Sequence, residues 1–231
     1  QAAQPSCASA GCSAQPLRLV GASTPQTVKW ATMQTYSHLL ITAMAGAGLA
    51  KRGIAVNTKA FLLGAVLPDM ALMVLTIGFV GYYRILAPDA YPTGALFGEV
   101  YDDFFFHNPV WVISHNFFHA PLILTTLMGI GYWAARQGKR WGAGLFWLAA
   151  ACGLHTLLDI FTHHHDGPLL WFPLDWQTRY AARVCYWDVR NGAGIFAPIE
   201  HLLDLSIIVY LVWAWSRRRR GCEYSPLAHS R

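Results

Sequence analysis

The sequence predicts an all-α fold, a polytopic membrane helix bundle of about five transmembrane helices, and three observations carry that prediction. Charged residues make up 13% of the 231 residues and hydrophobic ones 55%, so charge is about half the roughly 25% of a soluble domain. Apolar stretches recur at 34–50, 60–83, 109–135, 141–162 and 196–215, each near the ~20 residues with which a helix crosses hydrocarbon. Basic residues gather between alternate stretches, as they do in a chain that weaves through a bilayer.

The first stretch is the shortest, and its small residues from Ala43 to Ala50 suit close packing between helices. Lys51, Arg52 and Lys59 separate it from the second, which contains Pro68. Arg136, Lys139 and Arg140 lie between the third and fourth, and Arg217, Arg218, Arg219 and Arg220 follow the fifth. All three basic sites fall on one side of a five-span weave. The positive-inside rule makes that side cytoplasmic, with the C-terminus there, as in a bacterial inner membrane. The opposite loops, 84–108 and 163–195, carry Asp89, Glu99, Asp102, Asp103, Asp166, Asp175 and Asp188 with Trp171, Trp176 and Trp187; they read as the outer side, with aromatic rings at the interface. The Phe104, Phe105, Phe106 run is expected at the same interface. The expected organisation is a flexible lead over 1–32 that precedes a start near Met33, a transmembrane domain over 33–216, and a basic tail over 217–231.

The net charge of +5 sits at span ends, which excludes a nucleic-acid footprint. Cys7, Cys12, Cys152, Cys185 and Cys222 form no CxxC pair, which speaks against a thiolate metal site.

Ionisable residues inside the spans are the informative part, because each costs about 2.5–3.5 kcal/mol at a helix centre unless paired or hydrated. Nearly all of His38, Asp69, His115, His119, His155, Asp159, His201 and Asp204 fall at similar depth toward the outer side of the five-span weave. His155 and Asp159 are four residues apart, about 6 Å on one helix face, so that an imidazole and a carboxylate can share one ion; His115 and His119 repeat the spacing. A single such pair in a membrane helix is more often an interhelical hydrogen bond or proton relay, but convergence from four spans favours a shared metal site. Zinc suits this donor set, with manganese or iron as alternatives, and two carboxylates allow a two-metal site. Pro68 breaks the helical ladder just before Asp69, as happens where a helix lines a wet cavity. The run His163, His164, His165, Asp166 reads as an interfacial turn from which one histidine could cap the site. His107 and His229 read as surface residues, and His201 with Asp204, and Glu200 beside them, as weaker candidates.

These residues fall in blocks: Tyr36-Ser37-His38-Leu39-Leu40, Gly64-Ala65-Val66-Leu67-Pro68-Asp69, Ser114-His115-Asn116-Phe117-Phe118-His119, and Leu154 to Thr162 followed by Gly167 to Pro173. Over about 33–175 the chain resembles the membrane-bound metal-dependent hydrolases of the YdjM type, which are distantly like zinc-dependent phospholipase C. The resemblance implies metal-ligand roles for His38, Asp69, His119, His155 and Asp159, with His115 as a further ligand or a supporting group. The chain departs from the family pattern at Met70 and Ala71, where a second aspartate is usual, and at Asn116 and Phe117, where an Arg-Gly turn is usual.

The expectation is a hydrolase in which a bound metal activates water and polarises a phosphoryl or acyl oxygen, with Asp69 or Asp159 as the base. A lipid or lipid-linked phosphoester in the bilayer is the expected substrate class, mainly through the resemblance. Two other readings stand beside it: a non-catalytic subunit of a larger membrane complex, and a membrane protein whose histidines hold haem or a pigment.

Overall fold

The computed structural model describes residues 35–90, 97–185 and 191–223. The expected lead over 1–32, the start at Met33, Trp187, Asp188, His229 and residues 224–231 of the expected tail lie outside them. The described chain is helical: α1 (Thr35–Lys51), α2 (Thr58–Gly81), α3 (Glu99–His107), α4 (Pro109–Asn116), α5 (Pro121–Arg136), α6 (Gly142–Thr162) and α7 (Ala193–Glu223). Among the described residues there is no strand, and extended segments pair only at an isolated bridge between Leu169 and Arg179.

Three helical stretches are long and apolar enough to cross a membrane: Thr58–Leu86, which continues α2 through a π-helical turn, Gly142–Thr162 and Ala193–Arg217. The pair α4 and α5, bent by 50°, makes a fourth if it is one broken span. These helices are compatible with an integral membrane protein. Helix α1 has 17 residues, about 26 Å at 1.5 Å per residue, just short of a hydrocarbon core of about 30 Å.

The stretch at 109–135 reads as one span in the sequence but is divided. Pro121 has no N–H to give to the preceding turn, and it pushes Ala120 into an extended conformation, φ −75° and ψ 118°, as a residue before proline prefers. Asn108 caps α4 by accepting the Val110 N–H at 3.0 Å, with Pro109 at the first turn. Within the expected outer loop 84–108 lies a helix of its own, α3. Glu99 and Asp102 in its first turn favour the positive end of the helix. Phe105 packs with Phe79 and Trp111 in a buried cluster joined by Tyr83, Tyr101, Phe104 and Phe106, so the Phe104–Phe106 run anchors α3 to the end of α2.

Helix α6 is the hub. It lies along α2 and α5 and touches α1. Glycines set the spacing: a Cβ on Gly64 would collide with the Leu148 carbonyl and with Ala151, and one on Gly131 or Gly142 would strike the facing backbone of the α5–α6 hairpin. Helices α2 and α6 run in the same direction, with Phe61 against Trp147 at one end and Asp69 against His155 farther along. Helix α1 runs opposite to α2, since Gly46 meets Phe61 while Thr35 meets Asp69. It runs with α7, since Ser37 meets Asp204 and Lys51 meets Tyr210.

Candidate metal centre

Four elements deliver the site. Asp69 comes from α2 one residue after Pro68, His119 from the break between α4 and α5, His155 and Asp159 from α6, and His38 from the first turns of α1. His38, His119, His155 and Asp159 are buried, and the Asp69 side chain is 30% exposed. The opening of the site is therefore on the Asp69 side, where Thr35 donates to Asp69 Oδ2 at 2.6 Å.

Asp159 is the centre. Its Oδ2 lies 3.2 Å from His119 Nε2 and 3.1 Å from His155 Nε2, and its Oδ1 lies 3.2 Å from His38 Nε2. His155 Nε2 also lies 3.3 Å from Asp69 Oδ1. Asp69, His119, His155 and Asp159 each offer one ligand atom, and these atoms all lie within 4.8 Å of one another. Two ligands at about 2.0–2.1 Å from a tetrahedral zinc stand about 3.3 Å apart, which is the spacing found between the imidazole and carboxylate atoms.

The hydrogen bonds at the far side of each ring decide what the near side presents. His155 Nδ1 donates to Ala65 O at 2.8 Å and His119 Nδ1 to His115 O at 2.5 Å. Each of these rings thus carries a proton on Nδ1, so that the neutral ring turns a lone pair on Nε2 toward a carboxylate, and neither Nε2 has a hydrogen-bond partner. Lone pair against anion is repulsive unless a cation joins them, and the Nδ1–H···O=C bond is the arrangement that orients metal-binding histidines. The residues fit a divalent metal on this ground. His38 is the opposite case. Its Nδ1 is buried without a partner, so the proton belongs on Nε2, where it bonds Asp159 Oδ1, because an unsatisfied buried N–H is costly. His38 stacks on His155 with ring centroids 3.7 Å apart and positions Asp159.

The other candidates are placed as follows. His115 is buried beside His119, ring centroids 4.6 Å apart, outside the four-residue cluster. His163, at the end of α6, turns its Nδ1 to the Asp159 carbonyl at 3.1 Å and lies 3.8 Å from Asp159 Oδ1. His201 and Asp204 are on a separate seam, where His201 meets the Tyr36 hydroxyl at 3.1 Å and Asp204 accepts from Ser37 at 2.8 Å. Glu200 is buried on the same helix, and His107 is exposed beside Asp103.

Sequence reasoning missed two supporting residues. Asn116, fully buried, donates to Val112 O at 2.8 Å and accepts the Leu169 N–H at 2.7 Å, which ties the loop after α6 to the helix break. Arg179 donates to Gly167 O and lies over the Phe105 and Phe106 rings, 5.6 and 5.4 Å from their centroids. Asn116 sits between two histidines in a span, a place where a neutral amide signals a bracket. Arg179 gave no signal in the sequence. Comparison with protein-family models, with curated proteins and with solved structures finds no match to this chain.

Proposed function

We propose that the chain is a membrane-bound metal-dependent hydrolase that acts on a lipid or phosphoester-type substrate at the outer face of a bacterial inner membrane. The observation that carries this reading is the pair of buried Nε2 atoms, on His119 and His155, that face Asp69 and Asp159 at 3.1–3.3 Å without a hydrogen bond while each Nδ1 is held by a carbonyl. The motif resemblance to the YdjM-type hydrolases belongs to the same proposal. So does a five-span topology, in which α1 and the bent α4–α5 pair each cross and the C-terminus is cytoplasmic. Its support is the alternation of helix directions and the gathering of Lys51, Arg52, Lys59, Arg136, Lys139 and Arg140 in the connections at one end of the bundle.

A divalent metal such as zinc or manganese would supply Lewis acidity toward water and toward a phosphoryl or acyl oxygen. The two carboxylates then divide the remaining work by exposure. Asp159 is enclosed by imidazoles and holds the geometry, whereas Asp69 faces the opening and is placed to take a proton from an entering water.

One observation favours the reading as a non-catalytic subunit of a larger complex. Among the described elements α7 packs only on α1, and Leu202, Leu205, Val209 and Val212 stand open on it, a face for lipid or for another helix. The haem or pigment reading draws nothing from the site, because the rings of His38 and His155 stack on each other and their nitrogens face carboxylates.

Elemental analysis of detergent-purified protein tests the proposal. The wild type is expected to carry a divalent metal that Asp159→Ala and His155→Ala both lose, and to turn over phosphodiester substrates. Full metal content in both variants refutes the site, and metal with no turnover of phosphodiesters favours the subunit.

A further inference from the structure

His115 is 7% exposed, and neither ring nitrogen has a hydrogen-bond partner. A buried imidazole left so on both sides is costly, and its position one turn before His119 puts it at the edge of the metal cluster. The segment after α6 brings a cation to the same edge. Arg179 pairs through its backbone with Leu169, whose N–H is held by Asn116, the residue next to His115. The Phe105 ring touches both: the guanidinium of Arg179 lies over it, and the His115 ring packs against it at 5.0 Å.

A guanidinium carries five N–H donors. Gly167 O takes one. The rest of the half-buried fork lies over the same Phe105 ring that packs against an imidazole with nothing to bond. That combination matches a tetrahedral oxyanion, which accepts a bidentate guanidinium and a further N–H.

We propose that His115 and Arg179 form an anion subsite beside the Asp69, His119, His155 and Asp159 cluster, and that this subsite binds the phosphoryl group of the substrate. The inference deepens the hydrolase reading and rests on it for the word substrate. The anion chemistry is shared by a lipid phosphate headgroup and a soluble phosphoester.

The test measures binding of inorganic phosphate to the full chain in dodecyl maltoside micelles, with metal content determined on the same samples. Arg179→Met is expected to weaken phosphate binding by at least about ten-fold, the scale of hydrogen bonds to a charged group, at unchanged metal content. Arg179→Lys should restore part of the affinity, and His115→Ala should lower it with the metal retained. Phosphate affinity that is absent in the wild type, or unchanged in Arg179→Met, overturns the subsite whatever the metal content. Phosphate binding that depends on Arg179 in a protein free of metal supports the subsite and counts against the hydrolase. Displacement of phosphate by phosphatidic acid micelles but not by diacylglycerol micelles assigns the anion to a lipid headgroup; displacement by neither assigns it to a soluble phosphoester.

Discussion

His38, His119 and His155 all present Nε2 to a carboxylate at 3.1–3.3 Å, yet they do different work. For His119 and His155 the far nitrogen is spent on a carbonyl, which leaves the near one to serve as a metal ligand in the proposed site; for His38 the far nitrogen is idle, so the near one is a donor. The two classes should separate in experiment. His155→Ala is expected to abolish metal binding. His38→Ala should leave a site of correct composition with affinity lowered about 10–100-fold, the usual effect of losing a group that orients a ligand, and His38→Gln should recover part of it. Metal titration of the two variants checks this, and equal loss in both would make His38 a ligand. The spacing of His155 and Asp159 pointed to two members of the four-residue candidate cluster. It could not separate ligand from donor, because the deciding partners, Ala65 O and His115 O, are backbone atoms that carry no sequence signature.

Helices divide into those whose sequence states their packing and those whose partners impose it. Apolar length and basic ends announced α2, α6 and α7. Helix α3 stayed hidden because its nine residues lack a span's length and its aromatic face acquires meaning only against Phe79 and Trp111. The break between α4 and α5 was legible in Pro121, twelve residues after Pro109, but was masked by the unbroken apolar run. Helix α2 approaches α6 closely at Gly64, upstream of Asp69 on one helix and of His155 on the other. Gly64→Leu is therefore expected to cost roughly 1–3 kcal/mol through overpacking and to weaken metal binding by spreading Asp69 from His155. Thermal unfolding in detergent and metal titration together read this; a stable variant with unchanged affinity would show that the helix spacing is not what sets the site.

At the scale of the molecule, connections carrying Lys51 to Lys59 and Arg136 to Arg140 close one end of the bundle, and the loop with Trp171, Trp176 and Asp175 belongs to the other. Charge asymmetry foresaw this separation of the two ends, whereas of the five expected spans three are long and apolar enough to cross a membrane, or four with the bent pair. A membrane-impermeant thiol reagent applied to intact cells should label a cysteine at Asp175 and spare one at Lys139, in a background without other exposed cysteines. The reverse pattern would invert the bundle and move the site's opening to the inner face.

The bond from His155 Nδ1 to Ala65 O joins two helices 90 residues apart in the chain, and it bears on biogenesis. During synthesis α2 emerges carrying one member of the cluster, Asp69, and neither the partner carboxylate Asp159 nor the His119 and His155 pair is complete until α6 has followed. Insertion of α6 delivers two of the four candidate ligands and fixes the tautomer of one in the same docking event. In the proposed metal site, loading is thus a late step: a chain halted before Gly142 lacks two of the four candidate ligands, and only a chain that has docked α6 presents the full cluster.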